Sequence, residues 1–285
     1  MKKLSVLEYY QAHFAELSPE KQFHFATRLK NYSGSTDFDE YLSNHRPDTD
    51  LAALLNRAAS TTVANYPERQ PFFQAYPDLY GVEAALFRVL HLLQEYQIDL
   101  RPQFEQLYSS AKLHRLSDQL LNDPAAVFTL SSFAVNTICL TELLFPREQD
   151  VFSTLAALTP PTNFAPNLLI YYYTHIVICD TSFYTRPVPN RHHLLYRSLL
   201  AQISDLLKQY YADISLDIKL EYLVCCNLLQ FKSPLRSEIA TECQTILAKH
   251  PYLVDATRPA RLNTLDGAEH RNVLFIMSGL DTPQN

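Results

Sequence analysis

Glycine is scarce in this chain, with four residues in 285 against seventeen prolines. A backbone needs glycine where φ turns positive or where a phosphate must approach the main chain. So few glycines leave no room for a Gly-rich phosphate cradle, a dinucleotide fingerprint or a series of tight β-hairpins. The five cysteines are odd in number, form no CxxC and include the adjacent pair Cys225-Cys226. Neither a disulfide framework nor a structural zinc site is indicated, which leads to the expectation of a reduced, cytoplasmic protein. Formal charge is −6 and no dense Lys/Arg cluster occurs. Nucleic acid and anionic membrane are therefore not expected as partners. The longest apolar run, Leu168 to Cys179, contains Thr174 and His175 and is too short to cross a bilayer. The start, Met1-Lys2-Lys3-Leu4, resembles a signal peptide but is broken by Glu8, Gln11 and His13. No GxSxG, HExxH or calcium-loop pattern is present, and the sequence leaves any cofactor unknown.

What is there is helical periodicity. Ser18-Pro19 places a cap before a proline at the first helical position, as do Asp123-Pro124 before 125–145 and Ser233-Pro234 before 235–250. Apolar stripes at 3.6-residue spacing run through 48–65 and 82–96. The expectation is an all-α protein of about a dozen helices in antiparallel pairs, arranged as an α/α toroid or a curved array of helical hairpins. A single domain over 1–285 is expected, and any subdomain break would fall near 158–166, where prolines cluster.

Most helices before that break are amphipathic, whereas 168–179 and 218–229 are apolar around most of their circumference and should be enclosed by others. The polar residues on these two helices are the candidates for function. His175 and Cys179 share a face, as do Asp217 and Glu221. His270 follows Glu269 and precedes the apolar run Val273 to Met277. An inward-pointing Glu221 needs a cation, a histidine, a metal or a wet cavity, because an unpaired buried carboxylate is costly. His175, Glu221 and His270 are thus candidate catalytic residues, with Tyr171, Tyr172 and Asp217 as candidate binding residues. A structural polar network, or first-turn carboxylates favoured by the helix dipole, would place the same residue types there. No metal site is expected from the spacing. His192-His193 and the group Arg258, Arg261 and Arg271 read as solvated positions, and Cys225-Cys226 as core.

Three short segments carry a resemblance over about 151–280. Tyr173-Thr174-His175-Ile176-Val177, continued by Thr181 and Phe183, is similar to the Thr-His-apolar motif of a family of uncharacterised bacterial helical proteins. Asp217-Ile218-Lys219-Leu220-Glu221 resembles that family's Asp-x-x-x-Glu helix start, and His270 falls where it has a histidine before its last apolar helix. Ser182 stands where that pattern has Asp, and Tyr184 and Phe275 where it has Gly. The resemblance implies helical hairpins around a centre and points to His175, Glu221 and His270; it implies no activity. Two functions follow as expectations. The first is a binding or interaction module for a protein, peptide or small-molecule partner. The alternative is an enzyme with a central His175/Glu221/His270 site.

Overall fold

The computed structural model describes residues 4–65, 67–162 and 164–281. Met1, Lys2 and Lys3 lie outside them. Helix occupies 68% of the described residues and no strand occurs among them, so the protein is all-α. It divides into two compact units, one built from residues 1–46 and 183–285, the other from 47–182. The prolines near 158–166 fall inside the second unit, and the chain passes between units at 46/47 and 182/183.

The discontinuous unit starts with α1 (Val6–Ala12), α2 (Pro19–Ser33) and α3 (Asp39–Asn44). The inserted unit follows with α4 (Leu51–Leu55), α5 (Ser60–Asn65), α6 (Gln70–Ala75), α7 (Leu79–Tyr96) and α8 (Arg101–Leu107). It continues with α9 (Ser110–Leu121), α10 (Pro124–Leu130), α11 (Ser132–Leu144), α12 (Val151–Ala157) and α13 (Pro166–Asp180). The chain then returns to the first unit as α14 (His193–Tyr210), α15 (Leu216–Leu228), α16 (Arg236–Leu247) and α17 (Glu269–Met277).

In the inserted unit α11 lies against α7, α9, α10, α12 and α13. Its Ala134, Val135, Ile138, Cys139 and Leu140 are fully buried, as a helix apolar on all sides must be. The expected helix over 125–145 is broken at Ser131, where φ 50° and ψ −116° bend α10 from α11 by 105°. The Ser131 hydroxyl donates to the Leu168 carbonyl at 2.7 Å, which anchors the break to α13. The expected stripe over 48–65 is likewise two helices, α4 and α5. No single helix among the described residues is long and apolar enough to cross a membrane; α10 and α11 pass only as a bent pair, and they form core.

In the discontinuous unit α17 packs on both α2 and α15, and α15 also contacts α14 and α16. Chain ends are tied together: the Asp281 carboxylate accepts from the Val6 and Leu7 amides at the start of α1, both at 2.9 Å. Asp266 does the same for the Ser18 amide ahead of α2, at 2.7 Å. These bonds bring the N-terminal segment to α17 across some 250 positions of sequence.

Where the chain changes unit, Ser182, Phe183 and Tyr184 have φ of 51°, 56° and 75° in succession. Left-handed backbone costs a non-glycine residue about 1–2 kcal/mol, so neighbouring contacts must hold it. In the inserted unit Gln94 Nε2 donates to the Ser182 carbonyl and hydroxyl oxygens at 3.1 and 2.9 Å. In the other unit the buried Phe183 and Tyr184 rings lie under the Arg28 guanidinium, 5.4 and 5.1 Å from it.

Candidate functional site

The discontinuous unit concentrates its charged groups where α2, α15 and α17 meet. On α2, Lys21, His24 and Arg28 follow at spacings of three and four, so they share one face. That face meets Glu269, the first residue of α17, whose side chain is fully buried. His24 Nδ1 lies 2.8 Å from Glu269 Oε1 and Lys21 Nζ 3.3 Å from Oε2. The second His24 nitrogen, Nε2, accepts from Arg28 Nε at 3.2 Å. A guanidinium only donates, so this bond places the imidazole proton on Nδ1, where it is donated to Glu269. His24 is therefore neutral, and burial lowers its pKa to about 4. Burial acts the other way on the Glu269 carboxyl, but His24, Lys21 and His270 outweigh it and hold the group below its usual range.

One residue further along α17 a second histidine–carboxylate pair begins. His270 Nδ1 is 3.5 Å from Asp217 Oδ1, and Arg271 Nε donates to the other oxygen, Oδ2, at 3.0 Å. Burial raises the Asp217 pKa while His270 and Arg271 lower it further, leaving it near 2. Arg271 is itself buried and also donates to the Leu253 carbonyl and to Asn263 Oδ1. It is thus a structural cation holding the segment before α17, not the solvated group its sequence context suggests. The His270 ring is 37% exposed, stands 5.6 Å from the His24 ring, and has no hydrogen-bond partner at Nε2 among the described residues. A carboxylate behind one imidazole nitrogen orients the ring and leaves the other to accept or transfer a proton.

The inserted unit holds a separate buried network. Asn136 on α11 donates from Nδ2 to Glu83 Oε1 on α7 at 2.9 Å, and its Oδ1 lies 2.8 Å from His175 Nδ1. The Cys179 thiol donates to the same Oδ1 at 3.3 Å. Burial raises the Glu83 carboxyl to about 7 in spite of the Asn136 bond. Burial and the Cys179 neighbour likewise push the Cys139 thiol well above its usual range.

His175 thus belongs to the inserted unit, with Asn136 as partner, while Glu221 and His270 belong to the other. Glu221 is buried on α15, and its charge raises the pKa of Tyr184 and Cys225, on which burial acts first. Asp217 and His270 are brought together. Tyr172 is fully buried with its hydroxyl donating to the Leu155 carbonyl at 2.5 Å, whereas Tyr171 is half-buried beside the His175 ring. Cys225 and Cys226 are buried, the latter pushed to about 12, which makes them poor nucleophiles. His192 is also buried, against the expectation of solvent, and accepts from Arg191 Nε at 3.2 Å.

Sequence reasoning missed His24, Glu83 and Asn136. Glu83 carried a usable signal, as the single charged residue between Gly81 and Phe87. No group of three or more His, Cys, Asp or Glu among the described residues has a geometry that could hold a metal ion. No protein-family model, curated protein or solved structure matches the chain. The family resemblance of the Thr-His and Asp-x-x-x-Glu segments therefore rests on those short motifs alone.

Proposed function

We propose that this chain is a helical binding protein whose recognition site is the Lys21, His24 and His270 face of the discontinuous unit. One observation carries the reading: next to the fully buried Glu269 and the buried Arg271, His270 is oriented by Asp217 and open at Nε2. Lys21, which reaches the neighbouring Glu269 at 3.3 Å, adds a cation, so a small molecule or peptide presenting an acceptor or a carboxylate fits the local chemistry. The five buried free thiols suit a reduced, cytoplasmic setting for such a protein.

The test is a panel of carboxylate, amide and peptide ligands, followed through the His270 ring resonances by NMR. A ligand of this site shifts those resonances and binds His270→Ala at least about tenfold more weakly. If no panel member moves the ring, or if His270→Ala binds as the wild type does, the reading fails. The Asp217–His270 pair also favours a second reading, a general base working on a bound substrate. In that case Asp217→Asn lowers turnover more than it weakens binding, since it removes the anion that stabilises an imidazolium.

A further inference from the structure

A different concavity of the discontinuous unit, about 430 Å³, opens between the end of α15 and the start of α16. Among its seven lining residues two are cationic, Lys232 and Arg236, and none is acidic, on a chain whose formal charge is −6. We propose that it binds a small phosphate-bearing molecule.

Arg236 is held in advance. Its Nη2 donates to the Ser278 carbonyl at 2.8 Å and its Nη1 to Asn227 Oδ1 at 3.3 Å. Asn227 is fixed in turn by donating to the same Ser278 carbonyl at 3.0 Å. A guanidinium has five N–H groups, so three are left for a ligand after these bonds. Lys232 is exposed and makes no ion pair among the described residues. Arg197 stacks on the Phe231 ring at 5.5 Å and donates to the Leu229 carbonyl at 3.2 Å, which fixes the aromatic wall.

Arg197 and Arg236 also bond carbonyls at the C-terminal ends of α15 and α17, and neutralising helix carbonyls is the competing explanation. The magnitudes decide against it as the whole account. Two helix ends supply about half a negative charge each, against two full positive charges on the lining residues Lys232 and Arg236. Roughly one positive charge is left over at the wall itself, and Arg197 adds to it from behind the Phe231 ring. The volume lies within the range of small-molecule sites, and a lysine beside an arginine is a common phosphate-binding pair. Gln230 and Ser233 add uncharged hydrogen-bonding groups to the wall.

The test is calorimetric titration of inorganic pyrophosphate into the full chain, against chloride at matched ionic strength and against citrate. The expected result is pyrophosphate binding that weakens with added salt and falls about tenfold in Lys232→Gln. Lys232 is exposed, so that variant keeps the fold. Arg236→Lys, checked for helix content, should also weaken binding, because a lysine cannot repeat the fork. Binding no stronger than with chloride, or unchanged in Lys232→Gln, overturns the proposal. Citrate binding tighter than pyrophosphate overturns the assignment to phosphate.

Discussion

At Glu83 a carboxyl is buried with an amide and no cation as its partner, so the folded state favours the protonated acid. Its contribution to stability is complete below the unfolded value of 4.5 and is lost as pH rises to about 7. His24 acts in the opposite sense. The fold favours its neutral form, so its contribution is present above the unfolded 6.5 and is lost as pH falls toward 4. The two effects oppose one another in the same pH window but in different units, so a whole-molecule melting curve would hide both. Hydrogen exchange at α7 and α11 isolates the first. Between about pH 5 and pH 8 those amides should lose up to roughly 3 kcal/mol of protection in the wild type and much less in Glu83→Gln. Gln keeps the acceptor for Asn136 while removing the ionisation, so equal losses in both proteins would discard this account. The sequence marked Asp217 and His270 because a charged residue on a buried helix stands out locally. It did not mark His24, whose partner Glu269 is 245 positions away; only folding creates that neighbourhood.

Among the elements, the close approach of α4 and α7 depends on one atom that is absent. A Cβ on Gly81 would overlap the Leu55 carbonyl at the end of α4, and that backbone cannot swing aside as a long side chain can. Gly81→Ala should therefore destabilise the inserted unit by about 1–3 kcal/mol, measured as a lower urea midpoint. An unchanged midpoint would mean that α4 has room to move. Most helices were legible because their starts carry chemistry. The Asp123 carboxylate accepts from the Ala126 amide at 3.1 Å, as its place before Pro124 implies. α2 likewise starts after Ser18 with Pro19 first, although the Ser18 side chain caps no amide. The break at Ser131 was not, because apolar spacing continues through it and no proline or glycine marks it. It is held by a bond to the distant Leu168 carbonyl. The gap between α4 and α5 was hidden in the same way, by alanines that extend the stripe without a breaker.

For the whole molecule, the division into units matters more than the number of helices. The inserted unit is one continuous stretch with its own core around α11, and it should fold when residues 47–182 are produced alone. A cooperative thermal transition with helical circular dichroism is the expected outcome; a gradual, non-cooperative melt would show that the unit needs the rest of the chain. The other unit is assembled from two stretches separated by the insert, and its α2 has no α17 to pack against until the residues up to Met277 have been made. On a ribosome adding about 5–20 residues per second, α2 emerges early and waits through the synthesis of more than two hundred residues. For roughly ten seconds or more it has α3 but not α17 beside it, and its Lys21–His24–Arg28 stripe stands without Glu269. The order of translation thus makes α1 and α2 the segments with the longest exposure to chaperones, proteases and neighbouring nascent chains.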